Sequence, residues 1–269
     1  MRIPDFHVHT TFSPDSKITP EEAMEAALRC GVTDLCFTDH MDLGHPKAKF
    51  DHIPPFAEMK ARVNELREAY PQLNLRFGLE AGYMEPQAEA IVQALNQTSF
   101  DYVLLSTHCM DGVNCYDPQP GCLQEKEIFY KRYLEAVYQS VTDPRMTDCY
   151  DCVAHIGFIA KACLYDDNTF AYDFAPDLFD AILKRIIQDG KGIEVNTSGV
   201  ARAGHLLPHP TILKRYRELG GRIITIGSDA HTANRVGGDV KLALQTLREC
   251  GFAEYTLFAD RIPEQIPLA

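Results

Sequence analysis

The stretch that decides the fold is IPDFHVH, which runs from Ile3 to His9. It predicts a short strand, and because residues i and i+2 of a strand face the same side, His7 and His9 can converge on one point. Six further apolar runs of similar length follow along the chain, and segments with helical spacing separate them. This regular alternation predicts an α/β fold of seven β/α units, whose strands are short enough to be the staves of a barrel.

The element boundaries follow from apolar periodicity and from cap and stop residues, such as TPEE at residues 19–22 and Gly31. Strands are predicted near Ile3 to His9, Asp34 to Asp39, Leu75 to Glu80, Tyr102 to Thr107, Cys152 to Ile156, Gly192 to Asn196 and Arg222 to Ser228. Helices are predicted at about Ala23 to Arg29, Phe56 to Ala69, Pro86 to Asn96, Leu123 to Val141, Asp177 to Gln188, Pro210 to Leu219 and Val240 to Glu249. Two segments rich in Pro, Asp or His, Leu43 to Pro55 and Cys109 to Gly121, are predicted to be loops near the strand ends.

The chain has 269 residues, of which 45% are hydrophobic, and a mean hydropathy of -0.21. A β/α barrel commonly occupies about 250 residues as one unit, so we expect a single domain over residues 1–269. No stretch approaches the roughly 18 uninterrupted apolar residues of a membrane span, and the position of the first strand leads us to expect no signal peptide. Nine scattered cysteines, an odd number, favour reduced thiols and the cytoplasm.

The formal net charge of -12 argues against nonspecific binding to nucleic acid or to an anionic membrane, because both depend on a basic surface. We therefore expect a small-molecule partner, with no nucleic acid and no membrane, while the sequence leaves a homo-oligomer open. Part of the acidity is accounted for if Asp15, Glu80 and Asp229 bind divalent ions.

Histidines and acids stand where one strand after another is predicted to end. In a β/α barrel the C-terminal strand ends form the active face, so these side chains are expected to meet there as a metal cluster. Imidazole mixed with carboxylate suits Zn, Fe or Mn, whereas a Ca or Mg site ordinarily shows oxygen ligands. The side chains concerned are His7, His9, His40, Glu80, His108, His155, Asp229 and His231.

The motifs DFHVHT at residues 5–10, TDH at 38–40 and GSDAH at 227–231, with Glu80, His108 and His155, resemble those of the PHP superfamily of metal-dependent phosphoesterases. The resemblance covers nearly the whole chain. Within that superfamily the sequence is most similar to the monofunctional histidinol-phosphate phosphatases, through STH at residues 106–108, EVNTSG at 194–199 and FADRIP at 258–263.

This resemblance implies a distorted seven-stranded (β/α)7 TIM-like barrel with a trinuclear site. Glu80 would bridge two ions, and Asp15 would occupy a position that is His in some relatives and Asp in others. The first ion would be held by His7, His9, Glu80 and Asp229, the second by Glu80, His108 and His155, and the third by Asp15, His40 and His231. The resemblance also implies L-histidinol phosphate as the substrate, hydrolysed to L-histidinol and phosphate in histidine biosynthesis.

Two or three divalent cations suit phosphoester hydrolysis, because they hold phosphate oxygens, lower the pKa of a bridging water and stabilise the charge of an in-line displacement. The sequence contains no D-x-D-x-T/V motif of an aspartyl-phosphate mechanism. We therefore predict direct attack by metal-bound hydroxide on phosphorus, with Asp229, His231 and Arg202 acting in the reaction. Arg202 is predicted to bind the phosphate, since arginine can contact it in a bidentate manner, and Lys161 and Arg235 are the alternatives.

Three other functions fit parts of this pattern. An amidohydrolase also places H-x-H on its first barrel strand, and a nuclease of the kind attached to some DNA polymerases shares the metal motifs. A metal-binding module without turnover is the third, and the complete ligand set argues against it.

Cys149 and Cys152 form a lone C-x-x-C pair and are expected to be structural. Four histidines fall in predicted loops, where a surface position is the commoner explanation and contact with the substrate is the alternative: His45, His52, His205 and His209.

Overall fold

The computed structural model describes residues 2–117 and 124–268. Its strands are β1 (Pro4–Val8), β2 (Asp34–Phe37), β3 (His40–Met41), β4 (Asn74–Gly82), β5 (Tyr102–Ser106), β6 (Cys109–Met110), β7 (Val113–Asn114), β8 (Cys152–Val153), β9 (Gly192–Asn196), β10 (Ile224–Gly227), β11 (Glu254–Ala259) and β12 (Ile262–Pro267). Its helices are α1 (Pro20–Cys30), α2 (Phe56–Ala69), α3 (Ala88–Leu95), α4 (Lys126–Thr142), α5 (Pro176–Gln188), α6 (Ser198–Ala203), α7 (Pro210–Glu218) and α8 (Val240–Glu249). Two predicted boundaries, the helix start at Leu123 and the loop end at Gly121, lie outside the described residues.

Parallel strands form the main sheet, in the order β1-β2-β4-β5-β8-β9-β10, and the short strand β3 also pairs with β4. The two ends of this series then meet. The Asp229 amide donates a hydrogen bond to the His7 carbonyl at 2.7 Å, and the His9 amide donates to the Ala230 carbonyl at 3.0 Å. The sheet therefore curls into a nearly closed barrel of seven parallel strands, and the predicted fold class is confirmed.

Asp5 fastens the seam between β1 and β10. Its buried carboxylate accepts hydrogen bonds from the Ser228 amide at 2.8 Å, the Ser228 hydroxyl at 2.6 Å and the Gly237 amide at 2.7 Å. Burial raises the pKa of Asp5 to about 6, although these hydrogen bonds act in the opposite direction. The seam brings the end of β1, which carries His7, next to the residues that follow β10.

Helix α1 shows how local sequence sets the element boundaries. Thr19 and Glu22 form the capping box: the Thr19 hydroxyl accepts from the Glu22 amide at 3.2 Å, and the Glu22 carboxylate accepts from the Thr19 amide at 2.9 Å. Gly31 ends the helix with a φ of 82°, a left-handed conformation that glycine adopts without strain. The predicted helix start and stop signals are therefore confirmed.

Besides the unpredicted two-residue strands β3, β6 and β7, of which the last two lie in a segment predicted to be a loop, three larger features differ from the predicted elements. The strand predicted to reach Ile156 ends at Val153, because the chain turns away through left-handed conformations at His155 and Gly157. Helix α6 was not predicted. The third feature is the unpredicted hairpin of β11 and β12, which packs where the parallel strands begin: the rings of Phe258 and Tyr102 lie 5.1 Å apart.

The strand ends on the opposite side of the barrel remain uncovered by this hairpin and carry the site described below. Within the described ranges, none of the helices combines the length and apolar character that crossing a membrane would require. The eight cysteines in these ranges are all unpaired.

Candidate metal centre

Glu80, in β4, lies at the centre of the side chains that the sequence placed at strand ends. It is fully buried. Its Oε2 atom lies 3.3 Å from His7 Nε2, 3.4 Å from His9 Nε2 and 3.0 Å from His40 Nδ1. Three imidazoles, from His7 in β1, His9 just after it and His40 in β3, therefore face one carboxylate oxygen.

The other carboxylate oxygen of Glu80 faces a second group. Its Oε1 atom lies 3.1 Å from His108 Nε2 and 2.7 Å from His155 Nε2, and it accepts a hydrogen bond of 2.6 Å from the Ser106 hydroxyl. Because each oxygen of one carboxylate has its own set of imidazoles, Glu80 has the position that a bridging ligand requires.

Asp229 lies across from Glu80 and also uses its two oxygens differently. Its Oδ1 atom is 3.3 Å from His9 Nε2 and 3.7 Å from His7 Nε2. Its Oδ2 atom accepts hydrogen bonds from Lys161 Nζ at 2.6 Å and from the Ser198 hydroxyl at 3.1 Å. One oxygen therefore faces the predicted metal ligands and the other faces a buried cation.

The three residues predicted for a third ion also lie together. Asp15 Oδ2 is 3.3 Å from His231 Nε2, and Asp15 Oδ1 is 3.7 Å from His40 Nε2. Partial burial opposes ionisation of Asp15, but His231 and His40 outweigh it and hold its pKa below the usual range. The ligand role of these residues stays a prediction, and the structure brings them into one place.

Asp39, which precedes His40 in the chain, holds the residues around His9 in place. Asp39 accepts hydrogen bonds from the Thr10 amide at 2.6 Å and the Ser13 hydroxyl at 2.7 Å. Since the Ser13 hydroxyl donates its only proton to Asp39, its oxygen accepts from His9 Nδ1, 3.0 Å away. This chain of hydrogen bonds leaves Nε2 of His9 without a proton and directed at Glu80 and Asp229.

The backbone is strained at two residues of the cluster. His155 has a φ of 25° and Asp229 a φ of 54°, both in a region that residues with a side chain rarely adopt. Each lies two residues after the end of a short strand, so the turn carries its side chain in over the barrel end. Strain of this kind costs about 1–3 kcal/mol per residue and is typical of functional sites.

The cluster fits a group of metal ions. Glu80 Oε2 and His40 Nδ1 are buried 3.0 Å apart, yet among the described residues neither forms a hydrogen bond with suitable geometry. The Nε2 atoms of His7 and His9 also face each other at 3.0 Å. The lone pairs of these nitrogen and oxygen atoms therefore point at common positions between the side chains. A set of imidazole and carboxylate ligands suits divalent transition metals.

The charges of the side chains support the same conclusion. Burial opposes ionisation of Glu80, but the neighbouring imidazoles of His7, His108 and His40 outweigh it and hold its pKa well below the usual range. Burial, with repulsion from His231 and His40, holds the pKa of His9 well below its usual value. The site therefore keeps Glu80 ionised and His9 neutral, which are the forms that bind metal. Burial lowers the pKa values of the other imidazoles, but the neighbouring carboxylates outweigh it and raise those of His7, His40 and His108, so these three would release protons when metal binds.

Two carboxylates that could not be identified from the strand-end pattern support the cluster. Glu194, in β9, is 2.6 Å from His7 Nδ1 and accepts a hydrogen bond of 2.9 Å from the His155 amide. Asp42 is 2.7 Å from His108 Nδ1. In the sequence, Glu194 stands out only as part of the EVNTSG motif. Because alternate residues of a strand face the same side, its position in a strand beside those that lead to metal ligands could have identified it.

A cavity of about 600 Å³ opens above the cluster. The three basic residues predicted to bind phosphate all line it, and they differ in burial. Lys161 is buried and donates a hydrogen bond to Asp229. Arg202 is exposed and contacts the Tyr116 hydroxyl. Arg235 forms an ion pair with Asp239 at 3.1 Å. Lys161 is thus the nearest of the three to the cluster.

His45 does not lie at the surface, and its position suits the alternative of contact with the substrate. It is 7% exposed, lines the cavity and packs against Phe50 with ring centroids 4.7 Å apart. Its loop therefore folds over the cavity and not into solvent. His52, His205 and His209 are all partly exposed, and none lines this cavity.

Comparisons with known proteins give consistent matches. The PHP domain family model matches residues 5–198. A "Probable histidinol-phosphatase" from Clostridium acetobutylicum is 31% identical over 249 residues, which cover 91% of this chain and 93% of that protein. Histidinol-phosphatase from Lactococcus lactis subsp. lactis is 26% identical over 258 residues, covering 95% and 94%. The crystal structure of histidinol phosphate phosphatase from Lactococcus lactis, complexed with zinc, L-histidinol and phosphate, matches with a TM-score of 0.88 at 25% identity and covers 98% of this chain and 99% of that chain.

Proposed function

The chain belongs to the PHP domain family, and on this premise we propose that it is a metal-dependent phosphatase that hydrolyses L-histidinol phosphate to L-histidinol and phosphate. The observation that carries the proposal is the convergence of imidazoles on both oxygens of Glu80, at the floor of an open cavity. The substrate is supported by the similar structure that holds zinc, L-histidinol and phosphate. The reaction belongs to histidine biosynthesis.

We propose that the cluster holds two or three divalent transition-metal ions, Zn, Fe or Mn. When bound, such ions hold phosphate oxygens and stabilise the charge that develops during displacement. Water attacks phosphorus directly in this proposal, so oxygen from the solvent should appear in the released phosphate and no phosphoenzyme should be trapped. The proposed ligands are His7, His9, Asp15, His40, Glu80, His108, His155, Asp229 and His231.

The chain's own cations are proposed to hold the remaining phosphate oxygens. Lys161 is best placed, because its ammonium group is buried beside Asp229 and lies 5.0 Å from the Phe158 ring centre. Arg202 and Arg235 lie further out on the same cavity wall. Tyr116 and Phe158 offer flat apolar faces there, against which an imidazole ring can pack.

A kinetic panel with metal analysis of the same preparation tests this function. We expect kcat/KM to be highest for L-histidinol phosphate among phosphate monoesters that include p-nitrophenyl phosphate. A strong preference for another monoester would overturn the substrate and leave the reaction class intact. Hydrolysis of amides or lactones in place of phosphate esters would favour an amidohydrolase. Salt-dependent cleavage of DNA would favour a nuclease. Turnover no faster than the metal-free background would favour a metal-binding module.

Replacing Arg202 by alanine is expected to lower kcat/KM by about tenfold, mainly through a higher KM, because an exposed charge-assisted hydrogen bond contributes about 1–2 kcal/mol. Metal content should not change, since Arg202 contacts none of the proposed ligands. Steady-state kinetics and elemental analysis measure the two effects. Arg29→Ala, an exposed substitution on α1, serves as the control. Unchanged kinetics would show that Arg202 does not contact the phosphate.

The cytoplasm is the compartment that we propose, because hydrolysis of histidinol phosphate is a step of amino-acid biosynthesis. We also propose that residues 1–269 act as a single domain, since β10 completes the barrel beyond the residues that the family model matches. Sedimentation analysis would establish whether the chain forms a homo-oligomer.

A further inference from the structure

His45 lines the cavity but is not one of the proposed metal ligands. It is 7% exposed, and its ring centre lies 4.7 Å from that of Phe50, which lines the cavity as well. The hydrogen bonds that it forms among the described residues go to the backbone of Asp42 and of Lys47. The ring is therefore held by its own loop and remains available to a molecule in the cavity.

The backbone of Lys47 sets which nitrogen of His45 faces that molecule. The Lys47 amide donates a hydrogen bond to His45 Nδ1 at 3.0 Å, and an amide N–H can only donate. Nδ1 is therefore the acceptor, and the ring carries its proton on Nε2. Nε2 forms no hydrogen bond within the described chain and is not one of its buried unpaired atoms, so it is open to the cavity. His45 thus offers an N–H donor there.

The loop that carries His45 is closed by contacts of its own. The Gly44 amide donates to the Asp51 carboxylate at 2.7 Å, which joins the two ends of the loop. Lys47 Nζ lies 2.6 Å from Asp117 Oδ2 and ties this loop to the one that follows β7. A donor that is held in place before binding loses little conformational entropy when a ligand arrives. The N–H group of His45 is therefore preorganised.

The hydroxyl groups in the cavity wall are less available as donors. The Tyr116 hydroxyl contacts Arg202, which donates to it. The other three already donate to carboxylate or amide oxygens inside the protein: Ser198 to Asp229, Ser228 to Asp5 and Thr232 to Asn234. His45 differs from these three groups because no residue of the described ranges uses its donor.

The proposed substrate has one uncharged group that matches this donor. Its phosphate belongs at the metal cluster, its ammonium group can only donate, and its neutral imidazole has one acceptor nitrogen. Cations already lie at the aromatic wall: Lys161 Nζ is 5.0 Å from the Phe158 ring centre, and the Arg202 guanidinium is 5.2 Å from that of Tyr116. Their charge disfavours an imidazolium ion beside them, so the ring is expected to bind in its neutral form.

We propose that His45 is a specificity-determining residue, whose Nε2–H group donates a hydrogen bond to the unprotonated ring nitrogen of L-histidinol phosphate. The inference rests on the proposed function and names the side chain that recognises the imidazole. A site with such a donor discriminates against a ligand that has a ring but no acceptor nitrogen, because the donor is then left without a partner.

The test compares two substrates of the metal-loaded protein, L-histidinol phosphate and L-phenylalaninol phosphate, which keeps a flat ring and lacks the nitrogen. We expect His45→Phe to lower kcat/KM for histidinol phosphate by about tenfold, mainly through KM, which corresponds to the loss of one hydrogen bond. The value for phenylalaninol phosphate should not fall. His52→Phe is the matched control, because His52 belongs to the same loop and does not line the cavity.

A second variant separates the hydrogen bond from the shape of the ring. His45→Gln retains an NH₂ donor, and we expect it to recover part of the preference for histidinol phosphate that His45→Phe loses. A readout without turnover is the calorimetric titration of L-histidinol and of L-phenylalaninol in the presence of inorganic phosphate. His45→Phe should weaken the binding of histidinol alone, and the metal content should be the same in all variants.

The two substrates also separate the possible failures. Equal losses for both substrates in His45→Phe would mean that His45 supports its loop or contacts the phosphate, and would overturn the proposal. Unchanged kinetics for both would overturn it as well. If the unaltered protein shows no preference for histidinol phosphate among monoesters, the proposed function fails and this inference fails with it. If that preference is present and survives in His45→Phe, only the role of His45 is wrong.

Discussion

Glu80→Gln is expected to lower kcat/KM for L-histidinol phosphate by about 10⁴-fold. The reason is that one carboxylate faces five imidazoles, with Oε2 and Oε1 serving different groups, so that the amide disturbs two ion positions together. Bound cations contribute several kcal/mol to the stabilisation of a transferring phosphoryl group, and each loss of about 1.4 kcal/mol lowers the rate tenfold. Glutamine keeps the shape of the side chain and removes the charge that the cations need.

Steady-state kinetics and elemental analysis on the same sample measure this effect. We expect the metal content to fall with the rate, and circular dichroism to show that the barrel is retained. Glu25→Gln, at an exposed position on α1, controls for the loss of one negative charge. If Glu80→Gln kept both full activity and full metal content, the bridging role of Glu80 would be wrong.

The sequence was sufficient for the barrel because its strands are apolar runs with clear helical segments between them. It was not sufficient for the β11–β12 hairpin, although the two strands pair over their whole length. The turn between them places Asp260 at a φ of 51° and Arg261 at 64°. Tight hairpin turns of this kind usually contain Asn-Gly or Asp-Gly, so Asp-Arg gave no turn signal. The turn is held by tertiary contacts such as that of the Arg261 amide with the Asp101 carbonyl, at 2.9 Å.

The candidate site could likewise be predicted from the sequence only in part. Side chains at strand ends could be predicted because the C-terminal ends of parallel strands share one face of a barrel. Asp42 follows the two-residue strand β3, and nothing in its local sequence indicates that it faces His108, 66 residues away. The burial of Lys161 also depends on a short turn, Phe158–Ala162, whose residues read as an ordinary apolar segment. Long-range contacts of this kind follow from packing and not from local pattern.

Lys161→Met is expected to lower kcat/KM by about 10²- to 10³-fold, which is the usual effect of removing one preorganised group that stabilises a transition-state charge. Methionine keeps a long apolar side chain at this position and removes the ammonium group, which lies 2.6 Å from Asp229 Oδ2 and 5.0 Å from the Phe158 ring centre. Metal binding should be unchanged or tighter, because a positive charge beside a proposed metal ligand repels a bound cation. The prediction therefore separates catalysis from metal content, in contrast to Glu80→Gln, which is expected to lower both.

The measurement that decides the role of Lys161 is the split between these two readouts. Lys184→Met, at an exposed position on α5, is the control for loss of a lysine. Lys161→Arg restores the charge with a different shape, and we expect it to recover part of the rate if the charge itself contacts the phosphate. Loss of metal in parallel with activity in Lys161→Met would mean that the ammonium group only supports Asp229. Unchanged activity would leave Arg202 and Arg235 as the phosphate contacts, because both line the same cavity.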